Sequence, residues 1–167
     1  MTTSIVCPDL NGEEVSLQID MNTIWEAENR IPDIATVNSF KAPELLSVFN
    51  RAYLYCHEQM TKLEYEVHRM ETIANKRKSI VLLDIVPEYL ESKNMSNGKN
   101  RMGSEDIRTA ILNLDEEYGK ITETIQQNRC ILELVKGKMK GFEMAFTSVK
   151  KILGDSTFNM NKNKIGN

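Results

Sequence analysis

The chain has 167 residues, 41% hydrophobic, 27% charged and 7% aromatic, with 9 Met and a formal net charge of −3. Those values suit one folded domain whose core is lean in rings and rich in flexible side chains, more usual for helical assemblies than for sandwiches or barrels. No apolar run approaches the ~18 residues of a membrane span, and three widely spaced cysteines (Cys7, Cys56, Cys130) argue against both a disulfide framework and a CxxC metal site.

The start, "MTTSIVCPDLNGEE", lacks the basic flank and apolar stretch of a signal peptide, so a cytoplasmic protein is expected. Residues 1–34 hold seven acids and one base, Arg30, which leaves the body of the chain mildly basic. Residues 1–21 read as an acidic extension. Two short extended runs surround Asn11-Gly12, a favoured hairpin dipeptide, so a small β-hairpin is expected there. Asn22 or Thr23 then caps a short helix that Pro32 closes.

Pro43 opens a long helix. Its apolar residues recur at steps of three and four: Leu46, Phe49, Tyr53, Cys56, Met60, Leu63, Val67, Met70 and Ala74. The same count lands on Arg77 and then Val81, and Pro87 should kink or end the helix. A loop around "NMSNGKNRMG" follows. Ser104 caps the next helix, with Glu105 and Asp106 placed against its dipole. From Ile107 to Leu153, thirteen of fourteen positions at the same spacing are apolar, which is a coiled-coil seam. Its members include Leu132, Val135, Met139, Phe142 and Phe146, and its single polar member is Asn128, a residue type that fixes register or oligomer state. Residues 155–167 are polar and expected to be loose.

The expected architecture is all-α: a long antiparallel helical hairpin over 22–154, with the short helix and small β-hairpin before it. Extra apolar residues flank the seams, among them Leu45, Ala52, Ile80, Leu83, Leu112, Leu134, Ala145 and Ile152. A stripe that wide needs more than one neighbour, so assembly into a homo-oligomer is expected. Gly119, Gly137 and Gly141 lie within the second helix, either as tolerated slack or for close approach of another backbone.

Chemistry-bearing motifs are missing. The chain has no GxGxxG, no GxxxxGK[ST] and no GxSxG. His57 and His68 are eleven residues apart and cannot share one metal, and Glu64 with His68 reads as a surface pair. No catalytic residue, metal or cofactor is assigned. The distinctive feature is a run of cations, Lys76, Arg77 and Lys78, with Arg69 two turns earlier and Lys99 and Arg101 in the loop beyond. Gathered toward one end of a hairpin, and repeated in an oligomer, they would suit a phosphate backbone; Glu64, Glu66 and Glu71 keep a solvated, salt-linked face open as the other reading. Lys136, Lys138, Lys140, Lys150 and Lys151 form a second run, for solubility or for an acidic partner.

The stretch from "DIRTAILNLDEEYGKITETIQQ" to "SVKKI" resembles the C-terminal helix of the UvsY-like family of phage recombination mediators, and "ANKRK" resembles the basic turn of that family's first long helix. The likeness covers about residues 24–153. The sequence departs from the family in lacking its Tyr-Tyr-x-Gly turn, and in holding Ile80, Val81, Leu82 and Leu83 where further cations are expected. The resemblance implies a ring-forming helical oligomer that binds single-stranded DNA and helps a RecA-type recombinase displace single-strand-binding protein, in the host cytoplasm if phage-encoded. It carries over to Lys76 and Arg77; Lys78, Arg69, Lys99 and Arg101 join them on charge placement alone. The competing reading is a structural or adaptor helical oligomer, such as a phage assembly or virion component, that binds no nucleic acid.

Overall fold

The computed structural model describes residues 2–8, 14–93 and 103–165, with side chains over 19–93 and 103–154. The chain is all-α apart from one hairpin. Strand β1 (Thr2–Pro8) pairs antiparallel with β2 (Glu14–Asp20), in a register running from Thr2 opposite Asp20 to Pro8 opposite Glu14. The expected Asn11-Gly12 turn lies outside the described residues. Helices follow as α1 (Met21–Asn29), a 3₁₀ turn (Ile31–Thr36), α2 (Ala42–Ile80), a π turn (Val81–Ile85), α3 (Val86–Ser92), α4 (Glu105–Leu114) and α5 (Glu116–Ile165). No helix among the described residues is long and apolar enough to cross a membrane.

Two compact units divide these elements. The first joins Met1–Leu63 to Ile131–Asn167 and the second is Glu64–Cys130. In the first unit, α1 is capped by Asp20, whose carboxylate accepts from the Asn22 N–H at 2.9 Å, rather than by Asn22 or Thr23. The reason is register. The strand ends directly at the helix, so the last strand residue is the one with extended backbone and a free carboxylate. The Asp20 N–H donates to the Tyr55 hydroxyl at 2.5 Å, which ties the hairpin to α2.

The core of this unit joins Ile19, Ile24 and Ala27 to Leu45, Phe49, Ala52, Cys56 and Leu63 of α2, and to Leu132, Val135, Phe142, Ala145 and Val149 of α5. Several flanking residues expected to seek a sister copy, Leu45, Ala52 and Ala145, are therefore covered within the chain by α1 and the end of β2. Leu54, Leu134 and Met144 remain exposed. Gly137 and Gly141 meet nothing: a Cβ built on either has no neighbour within 4 Å. They are slack in this chain.

In the second unit, the apolar stripe of α2 continues through Val67 and Ala74 to Val81, and then changes spacing. The next buried residues are Val86 and Leu90. The step of five from Val81 to Val86 is the π turn, in which the Val86 N–H donates to the Val81 carbonyl. Pro87 explains its position. A proline lacks an N–H and its ring collides with the carbonyl four residues earlier, and a widened turn relieves both problems without ending the helix. Ser104 caps α4 as expected, accepting from the Ile107 N–H at 3.4 Å. The second long helix is not continuous: it breaks at Asp115, which has extended backbone, and Leu114 is left exposed. Leu112 instead joins Val81, Val86, Leu90 and Ile111 in a small core. At the far end α5 continues to Ile165, so the expected loose tail is helical to that residue.

Two outcomes test this packing. Phe142→Ala should cost about 3–5 kcal/mol in urea unfolding, whereas Gly137→Ala and Gly141→Ala should each stabilise by up to about 1 kcal/mol. Burial pushes the Cys56 thiol up to about 11, while Cys130 is exposed. Iodoacetamide at pH near 8, read by peptide mass, should label Cys130 in the native protein and Cys56 only after unfolding.

Candidate nucleic-acid interface

Successive residues of a helix point about 100° apart, so three adjacent cations cannot share one face. Arg77 follows Ala74 on the apolar stripe and turns inward; Lys76 and Lys78 flank it and are exposed. Inward, Arg77 meets the break between α4 and α5. Its Nε donates to Asp115 Oδ1 at 2.9 Å and its Nη2 to Oδ2 at 2.6 Å. Its Nη1 lies 2.8 Å from Glu117 Oε2. Asp115 Oδ1 also accepts from the Tyr118 N–H at 2.8 Å, which makes Asp115 the cap of α5. The fork of bonds from Arg77 holds the Asp115 carboxyl below its ordinary value, and the same contact raises the guanidinium above its own. Side-chain exposures are 24% for Arg77 and 9% for Asp115, so little of this pair is left for a ligand.

Arg77 therefore departs from its expected place as a DNA contact: it is a brace inside the unit. Arg69 departs likewise. Its Nε lies 3.0 Å from Glu66 Oε2, and Glu66 is buried, 7% exposed, so this arginine neutralises an interior carboxylate. Arg129 is held by Glu71, whose carboxyl that bond keeps below the usual range. With the Arg77–Asp115 contact, it runs α2 and the start of α5 antiparallel within this unit. Lys99 and Arg101 lie outside the described residues. What remains is a smaller set. Among the described residues of this unit, no ion pair engages Lys76, Lys78, Lys93 or Arg108. Arg108, half-buried on α4, lay in the sequence as a cation one turn inside a capped helix; its placement beside α2 needed the fold.

The expected seam residues are buried or half-buried. Leu132, Val135 and Phe142 sit in the first unit's core, with Met139 and Phe146 packed against it, and Asn128 is buried in the second unit. They pack within the chain. Gln59, also buried, was not anticipated, and its Oε1 accepts no hydrogen bond among the described residues. In the lysine run of the first unit, Lys138 pairs with Glu28, Lys136 lies 3.6 Å from Glu133, and the Lys150 ammonium stands 4.9 Å from the Phe146 ring centre. Those contacts favour a solvated, internally compensated face. No three His, Cys, Asp or Glu side chains converge among the described residues.

Arg77→Ala should lower stability more than Lys76→Ala or Lys78→Ala, and Asp115→Ala should cost about 1 kcal/mol for the lost cap alone. Asp115 and Glu71 bind protons less readily folded than unfolded. Their ionisation adds stability above the ordinary carboxylate range near about pH 4, and that contribution is lost as pH falls through their depressed values. Urea unfolding at stepwise lower pH should show wild type losing more stability than Arg77→Ala, whose Asp115 has no guanidinium to lose. Comparisons with protein-family models, with curated proteins and with solved structures find no match for this chain.

Proposed function

We propose that this chain is a non-enzymatic, self-associating helical protein that binds single-stranded DNA and helps a RecA-type recombinase replace single-strand-binding protein. The observation that carries this reading is the pair Lys76 and Lys78, both exposed and without an acidic partner among the described residues, at the turn that resembles the basic turn of the mediator family. Two lysines hold a phosphate chain weakly. Repetition in a homo-oligomer raises the local concentration of such contacts and supplies avidity. The exposed Leu54, Leu134 and Met144 are apolar side chains that the first unit leaves for contacts between copies. Affinity would be electrostatic and indifferent to sequence, because ammonium groups read phosphate charge rather than base edges.

The same exposed apolar side chains favour a second reading, an adaptor helical oligomer whose partner is protein. Fluorescence anisotropy of labelled oligo-dT separates the two. Lys76→Glu with Lys78→Glu is the informative variant, because it leaves the Arg77 brace intact. Wild type should bind at low salt, with log affinity falling linearly against log salt, and the double variant should lose at least about tenfold at equal oligomer size. Absence of wild-type binding at low salt, or binding that ignores salt, would favour the adaptor.

A further inference from the structure

Beside the braced Arg77, the second unit holds a cavity of about 240 Å³ lined by Lys78, Leu82, Glu105, Arg108, Thr109 and Leu112. Its walls come from the end of α2, the π turn and the first turns of α4. Two cations face it, and neither is in an ion pair among the described residues. Three other cavities among the described residues differ in this respect. The arginine of one, Arg129, is tied to Glu71, and the lysine of another, Lys138, is tied to Glu28. A third, lined by Asn50, Tyr53, Glu143, Phe146 and Thr147, has no cation in its wall.

We propose that this cavity seats one phosphodiester of a nucleic-acid strand. Lys78 and Arg108 supply ammonium and guanidinium donors, Thr109 a hydroxyl donor, and Leu82 with Leu112 an apolar floor for the carbon face of the adjoining sugar. The charge of the wall selects the ligand. Two cations and Glu105 sum to one positive charge, which matches the single negative charge of a phosphodiester. A terminal phosphate carries about −1.5 to −2 and is opposed by Glu105. Size agrees: ligand pockets for whole small molecules begin near 300 Å³, so this one accommodates a phosphate and part of a sugar rather than a nucleotide. The π turn supplies Leu82, and turns of that kind concentrate at functional sites. The proposal rests on the strand-binding reading above and adds to it a defined seat, with Arg108 as a contact that the basic run alone did not include.

The test uses the full chain, with Arg108→Gln and Lys78→Gln checked by circular dichroism and light scattering for unchanged fold and oligomer size. In the oligo-dT assay each variant should weaken binding about tenfold and reduce the salt slope by about 0.7. Lys140→Gln, in the other unit, should change neither. In parallel, dimethyl phosphate, a monoanion, is titrated against ¹⁵N-labelled protein. It should shift the amides of Lys78, Arg108 and Thr109 in wild type and leave them unmoved in Arg108→Gln. Oligo-dT binding that survives both substitutions with the same slope overturns the cavity and leaves strand binding to Lys76. Stronger shifts from inorganic phosphate than from dimethyl phosphate would assign the cavity to a free anion, and overturn it as a strand seat. If wild type binds no oligo-dT, the strand-binding reading fails; dimethyl phosphate shifts confined to the cavity would still support a phosphodiester site, and their absence would remove it.

Discussion

The guanidinium of Arg77 holds two carboxylates that the chain presents where α4 gives way to α5, and much of the second unit is arranged around that contact. A helix break leaves donors and acceptors without partners. Here Asp115 satisfies the start of α5 and Arg77 satisfies Asp115, so the break is held in one geometry from the opposite helix. The planar fork matters, because an ammonium in its place would bind one carboxylate oxygen as a point charge and leave the direction of α5 less defined.

That contact also sorts the basic run. An arginine on the stripe side of α2 turns toward the interior and is neutralised there. The lysines on either side turn to solvent and stay available. The same division appears at Arg69, which serves the buried Glu66. Among the described residues of this unit, Arg69, Arg77 and Arg129 brace carboxylates, whereas Lys76 and Lys78 stay in solvent. Arg108 is the exception, an arginine without an acidic partner among the described residues.

Much of the helical layout was legible in residue spacing. The seams of α2 and α5 repeat at three and four, and most buried residues of α5 fall on that count; in α2 the buried face is shifted, with Leu45, Ala52, Gln59 and Glu66 buried while the counted Leu46, Tyr53, Met60 and Met70 are half-buried. Ser104 was legible because its side chain acts locally. The break at Asp115 had a local signal too, an Asp followed by Glu116 and Glu117, but the apolar count runs across it and conceals it. The burial of Arg77 was not legible. It depends on a carboxylate 38 residues away in sequence, and three adjacent cations look alike until a partner element chooses among them. The intrachain cover of the apolar stripe was not legible for a related reason. The short α1 and the end of β2 cover more of it than their length suggests, because Ile19, Ile24 and Ala27 are all directed into one patch.

The π turn at Val81–Ile85 has an implication for how the molecule tolerates changes in length. It is an additional residue accommodated inside a helix, and each residue rotates the downstream face by about 100°. Deleting one position there would restore ordinary pitch and leave Val86 and Leu90 four and eight residues after Val81, still on the stripe that meets their small core. Loops absorb insertions quietly, and this helix does the same by widening one turn, so the bearing of α3 within its unit survives a change of one residue in the count.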